Sequence, residues 1–315
     1  MSTPLVSICM PCHNAAKYVG QAVRSALHQS WGNLEVVVVN DSSTDQTADR
    51  LDGIKDDRLR VIEAQCGNAS AARNLSFQHS RGDYIKYFDA DDIITPTMID
   101  AQMRKLENSS RDIASCEWGR FYEGNPDSYR SNPESVWEDL PALDWLVNSW
   151  KSARPMMQPG LFLIPRPLIQ EAGGWDETLT LIDDFEFFAR LIATADTVRF
   201  TPGERLYYRS GLAQSLSQRK SEEAINSNFQ SLMKGTSYLL EKRNDRPARQ
   251  SCANLYQDFI HSIYPDFPDL RLRMEKEIQT LGGSNLLPDG PPNFHRLRRL
   301  AGWKLARRIQ KLAGR

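Results

Sequence analysis

Nowhere in the 315 residues do about 18 or more apolar side chains run together; the longest apolar stretches are strand-sized, such as Val36 to Val39, which excludes a bilayer-spanning helix. The N-terminus, MSTPLVSICMPCHN, lacks the basic flank and long apolar run of an export signal and passes directly into a strand-like pattern. Cysteine is scarce and odd in number: Cys9, Cys12, Cys66, Cys116 and Cys252 are widely scattered. That set fits a reducing compartment rather than a disulfide scaffold, so the expectation is a cytoplasmic protein. An excess of either charge is missing too, with 39 Lys and Arg against 40 Asp and Glu, which argues against general polyanion binding. No nucleic acid is expected, because no reading motif is present. No G-x-G-x-x-G follows a strand and no P-loop occurs, so dinucleotide binding and ATP hydrolysis are not indicated.

What is there, in the first half, is alternation. β-branched runs at Val6 to Met10, Leu34 to Asn40, Leu59 to Ala64 and Tyr84 to Phe88 read as strands. Between and after them, Tyr18 to Gln29, Ala69 to His79 and Pro96 to Leu106 carry apolar residues at helical spacing, the last with Thr95 placed to cap it. Such an order predicts an α/β fold with a mixed, mostly parallel sheet covered by helices. Ligands in these sheets sit at the carboxyl ends of the strands. There the sequence has PCHN, DSSTD and DADD. The stretch from Phe121 to Arg154, rich in Asn, Pro, Asp and Ser, reads as an insertion with one short helix at Leu140 to Trp150, and Asp183 to Ala195 as a helix with an acidic start.

The sharpest chemical signal is YFDADD. Asp89, Asp91 and Asp92 crowd the end of a strand, where three like charges repel unless a cation joins them. Hard carboxylate oxygens suit Mg²⁺ or Mn²⁺, and an ion held by one or two carboxylates keeps positions open for substrate phosphates. The bland alternative is a solvated acidic turn.

The order of motifs MPCHNAAKYV, VVVVNDSSTDQT, GNASAARN, YFDADD and GGWDETLTLIDDFEFFARL decides between them. Over roughly residues 4 to 215 the chain resembles the family 2 glycosyltransferases, inverting enzymes of the GT-A fold that build bacterial cell-surface polysaccharides and glycolipids. The resemblance implies a catalytic domain over 1–217, and a nucleotide diphosphate sugar donor, most commonly a UDP-sugar. It places Pro11, His13 and Asn14 in the loop that walls the base, His13 standing where Tyr or Phe is usual. Asp41 takes the place of the acid that accepts a hydrogen bond from the base, and Arg73 lies near the diphosphate or the acidic cluster, a surface salt bridge being its alternative. Asp89 corresponds to the acid near ribose and metal, Asp91 to the direct metal ligand, and Asp92 to a supporting acid or helix cap. Asp184 takes the position of the catalytic base, with Asp183 beside it where Glu is usual; an acidic first turn favoured by the helix dipole is the plainer reading. Trp175 and Asp183 are acceptor-site candidates, Trp175 either stacking on a sugar or filling the core. Where relatives carry a His after Tyr-Arg, this chain has Gly211, so Arg209 or Gln214 is expected to hold the diphosphate.

Past about Gln218 the strands stop. Helical stripes imply an appendage over 218–281, a linker over 282–293 and a basic amphipathic helix over 294–315. This last piece holds eight Lys or Arg and no acid, leaving 31 of the 39 basic residues to face 40 acids in the body. Leu297, Ala301, Leu305, Ile309 and Leu312 fall on one stripe. Two readings stand: a helix lying on an anionic membrane surface beside a lipid-linked acceptor, or one packed on its own domain. For the whole chain the rivals are a sugar nucleotidyltransferase, whose Gly-rich phosphate loop is missing, and an inactive GT-A-like scaffold that binds nucleotide or glycan. The string CMPCH matches haem-attachment and redox patterns, but at a strand end rather than a helix start.

Overall fold

The structure, a computed structural model, describes residues 3–122, 124–211 and 221–313. Strand β1 (Val6–Cys12) is central, with parallel β2 (Leu34–Asp41) and β3 (Leu59–Ala64) on one side and parallel β4 (Tyr84–Tyr87) on the other. Every residue of β2 is buried, as its unbroken LEVVVVND requires of a strand covered on both faces. Helix α1 (Val19–Leu27) supplies part of that cover by burying Val19, Ala22, Val23, Ala26 and Leu27, the stripe expected from spacing. Helices α2 (Thr47–Asp52) and α3 (Ala69–His79) complete the crossovers.

The chain reverses its direction of travel across the sheet at β1, so β1 and β4 flank a switch point. Their pairing stops at Cys9 with Tyr87, while β1 continues beside β2 to Cys12. Pro11 therefore sits beyond the ladder to β4, where its missing N–H costs no bond on that side. By the rule for open sheets, a binding cleft is expected where the two strands part.

A second sheet was not visible in the sequence. The short β5 (Ile93–Ile94), β6 (Ile113–Tyr122), β7 (Asn125–Ser131) and the long β10 (Thr197–Ser210) form it, in the order β5-β10-β6-β7, with β8 (Leu140–Pro141) also on β10. The expected insertion is thus mostly ordered structure: β7, β8 and helix α5 (Ala142–Trp150). Strand β7, NPDSYRS, is largely exposed and polar, so it exists through backbone pairing to β6 rather than through a periodic apolar face. A bridge between Ala114 and Leu163 ties this sheet to β9 (Ile164–Pro165), which lies antiparallel to β4. Helix α4 (Met98–Leu106) starts two residues later than Pro96, with Thr97 before it; Thr95 instead donates its hydroxyl to Glu204 Oε2.

Behind the cleft, the short helix α6 (Arg166–Ala172) follows β9, and helix α7 (Asp183–Thr194) packs against the first helix of the appendage, α8 (Glu222–Lys242). Gly235 of α8 meets the ring of Phe185, and Ser231 Oγ donates to the carbonyl of Ile182 at 2.5 Å. Helices α9 (Arg246–Ile263), α10 (Pro268–Thr280) and α11 (Pro292–Leu312) follow. The expected boundary at 217 lies outside the described residues. No described helix is long and apolar enough to cross a membrane.

Candidate active site

The loop after β1 is fixed by the loop after β2. His13 Nδ1 lies 2.6 Å from the Asp41 carbonyl, and Asn14 Nδ2 lies 3.1 Å from His13 Nε2. A carbonyl only accepts, so Nδ1 carries the proton and Nε2 receives the amide. Asn14, in the left-handed region at φ 49°, also accepts from the Thr44 amide at 2.8 Å. The expected base-walling residues Pro11, His13 and Asn14 are therefore brought together with Asp41. The Asp41 carboxylate is buried and takes the backbone N–H groups of Cys66 (2.7 Å, Oδ1) and Gly67 (3.1 Å, Oδ2). A carboxylate has about four acceptor directions, so Oδ2 keeps capacity for a further donor. Cys9 and Cys12 are buried in β1 with their thiols pushed up to about 12 by burial, which leaves neither the thiolate that redox chemistry needs.

Across the cleft, Arg73 of α3 joins two groups of acids that the sequence holds far apart. Its Nη2 donates to Asp89 Oδ1 at 2.9 Å and its Nη1 to Asp183 Oδ2 at 2.8 Å. Burial opposes its charge, but Asp183 and Asp89 outweigh that and hold the guanidinium protonated above its usual range. It lies 4.4 Å from the Trp175 ring, which stacks at 4.1 Å on Phe187. Trp175 is buried, 3% exposed; the alternative of stacking on an acceptor sugar gives way to the core one, since Arg73 and Phe187 cover its faces. In the structure it backs the Arg73 guanidinium.

Asp183 also accepts from Ser70 Oγ at 2.7 Å. Its neighbour Asp184 takes only the Phe185 amide at 2.8 Å among the described residues. Burial, then the adjacent Asp183 charge, push the Asp184 carboxyl up to about 7 against the pull of Arg73. A carboxylate with raised proton affinity is what a general base requires.

The acidic loop after β4 is held by Arg209 and by Gln158, which motif reading missed. Gln158, buried, donates from Nε2 to Asp92 Oδ2 (2.6 Å) and Asp89 Oδ2 (3.1 Å), while its Oε1 accepts from the Gly160 amide at 2.6 Å. Asp92 also accepts from the Arg209 amide at 2.8 Å, so it braces the loop against β10 rather than capping a helix. Arg209 itself lies between the rings of Tyr18 (4.6 Å) and Phe121 (4.5 Å), donating to the Asp91 carbonyl at 2.5 Å and to Gln21 at 2.9 Å. What Arg209 holds in the structure is the Asp91 loop; Gln214 lies outside the described residues. Asp91 is different: among the described residues no other residue donates to its carboxylate, and burial followed by the Asp89 charge pushes it up to about 6. An acid without a protein donor, beside two braced ones, fits a divalent cation whose remaining ligands come from substrate and water. Among the described residues no three metal-ligating side chains converge, so these residues alone offer no closed cage.

Comparison with known proteins bears on this arrangement. The sequence model described as glycosyl transferase family 2 matches residues 7–172. Glycosyltransferase GlyG of Streptococcus pneumoniae is 28% identical over 177 residues, covering 53% of this chain and 58% of GlyG. An uncharacterized glycosyltransferase of Bacillus subtilis, EpsJ, is 26% identical over 72% of this chain and 67% of its own. The chain thus spans about three fifths of GlyG, and only 28% of a Rickettsia bellii glycosyltransferase that it also matches. S. aureus TarS 1–349, solved in complex with UDP-GlcNAc, superposes with a TM-score of 0.70 at 15% identity, over 99% of this chain and 92% of that one. Its complex with UDP gives 0.65 at 17% identity, over 88% and 78%. Family match, motif order and fold agree: the chain belongs to glycosyl transferase family 2 and carries the GT-A fold.

Proposed function

We propose that the protein transfers a sugar from a nucleotide diphosphate sugar, a UDP-sugar by preference, to the hydroxyl of a glycan or lipid-linked acceptor, in a single inverting displacement on the cytoplasmic side. The observation that carries the proposal is the Arg73 clamp. It draws the Asp89–Asp91–Asp92 loop and the Asp183–Asp184 pair into one cleft at the switch point of the sheet. In this reading Asp41, with Pro11, His13 and Asn14, receives the base. Asp184 accepts the proton of the acceptor hydroxyl as it attacks the anomeric carbon, and Asp183, locked to Arg73 and Ser70, keeps Asp184 in place and raises its basicity. Asp91, with Asp89 beside it, would hold a Mn²⁺ or Mg²⁺ ion. Such an ion, when bound, neutralises charge developing on a leaving diphosphate, so no general acid is required. Structures of TarS with UDP and UDP-GlcNAc support the donor class.

Thermal unfolding with a panel of nucleoside diphosphates tests this. A ligand of the folded state alone raises the melting temperature. UDP with Mn²⁺ is expected to raise it, and Asp91→Ala to abolish the rise. Failure of every nucleotide, with or without metal, would leave the donor site without support and favour an inactive scaffold.

A further inference from the structure

The geometry points to a second functional surface: the outward face of helix α11 is an anionic-membrane docking face. Its opposite face is already used. Phe294 and Ala306 are buried, and Trp303 sits edge-on to His261 (4.7 Å) and Tyr264 (5.0 Å) near the end of α9. Had the tail been only a packed helix, its apolar residues would end there. Instead Leu305 (47% exposed), Ile309 (42%) and Leu312 (89%) recur at intervals of four and three, on a stripe turned away from Trp303, with Ile309 at its edge beside Ala306. Before the bend at Gly302, Leu300 is 86% exposed. One face of the helix is thus packed on its own domain, and the other is left to solvent.

Charge identifies the occupant. Residues 294–315 contain eight Lys or Arg and no Asp or Glu. Arg296 and Arg299 are exposed next to Leu300, and Lys304, Arg308 and Lys311 next to the apolar stripe, Lys311 also pairing with Asp266. The remaining chain is net acidic, so the attraction to an anionic surface is concentrated in this helix. Exposed leucines ringed by cations fit the boundary between headgroups and acyl chains, where apolar burial and charge attraction add. A polyanion such as RNA would use the cations and leave the leucines unexplained.

The inference is independent of the donor-site reading, and its test uses the full chain. Sedimentation with vesicles of phosphatidylcholine alone, and of equal parts phosphatidylcholine and phosphatidylglycerol, gives the partition coefficients. Strong binding to the mixed vesicles, weakened by high salt, is expected. Leu305→Ser with Ile309→Ser should lower the coefficient about tenfold or more, and Lys304→Glu with Arg308→Glu should do likewise. All four side chains are surface-exposed, so both variants should keep the parent melting temperature and its rise with UDP and Mn²⁺. Absence of vesicle binding overturns the inference. So does binding indifferent to the Leu305/Ile309 change, or self-association that the same change abolishes, which would assign the stripe to a second copy of the chain.

Discussion

At the scale of single residues, the cleft works by unequal treatment of its acids. Asp89, Asp92 and Asp183 are each tied to Arg73 or Gln158, while Asp184 and Asp91 receive nothing from another side chain among the described residues. If Asp184 is the base, it must be ionised to act, so the rate should climb with pH through about 7 and level above it. Asp184→Asn should cost roughly a hundredfold to ten-thousandfold in kcat. Asp183→Asn is the more discriminating change. Removing the like charge while Arg73 stays should move the acid limb of the profile to lower pH; an unmoved limb would show that another group titrates. Gln158 gives a separate prediction. Gln158→Leu strips the shared donor from Asp89 and Asp92, one of them fully buried, and should destabilise the fold by about 1–3 kcal/mol. It should also raise the half-saturating Mn²⁺ concentration about tenfold, with Gln158→Glu worse because it sets a further carboxylate against the acids of the loop. A Mn²⁺ titration of activity and a denaturant melt, run on both variants, separate the two effects.

At the scale of elements, the proposed base Asp184 is only as well placed as helix α7, and α7 leans on α8. Phe185, the residue after Asp184, is wedged between Trp150 of α5 (5.1 Å) and Gly235 of α8. A methyl group at Gly235 would fall well inside van der Waals contact with the Phe185 ring, and Trp150 is fully buried behind it. Gly235→Ala therefore gains about 1 kcal/mol of helix propensity but meets an overpacking cost of about 1–3 kcal/mol. The expected outcome is a lower melting temperature with a fall in kcat larger than any change in donor KM, because displacing Phe185 disturbs the turn that bears Asp184. The same contrast explains what the sequence made legible. Strands β1 to β4 and helices α1, α3 and α7 were readable because each is a local apolar run or stripe, and four of the five motifs sit where those strands end, the fifth leading into α7. The second sheet was not, since β6 and β10 pair across 85 to 88 residues and β7 has almost no apolar face; only tertiary pairing makes them strands. Gln158 had no motif to announce it. Its one local signal is a position ahead of Pro159, as cap of a single 3₁₀ turn.

At the scale of the whole molecule, the charge balance that looks neutral in total is divided between an acidic body and a basic last helix. That division need not couple the two functions. Helix α11 touches the body through Phe294, Trp303 and Ala306 and through exposed ion pairs such as Lys311 with Asp266, none of which reaches Asp41, Arg73, Asp91 or Asp184. Exposed pairs contribute little, so the cost of removing the helix should come from the apolar contacts, about 1.5–3 kcal/mol for each large side chain fully buried. Deleting residues 292–315 is accordingly expected to lower the melting temperature by a few degrees while leaving intact the further rise produced by UDP with Mn²⁺. Differential scanning fluorimetry on the shortened chain measures both at once. A lost melting temperature with a preserved ligand shift means that the helix is a buttress and a surface, separate from the cleft; a lost ligand shift would mean that the last helix takes part in forming the donor site, and the acidic body could not then be treated as a self-sufficient catalyst.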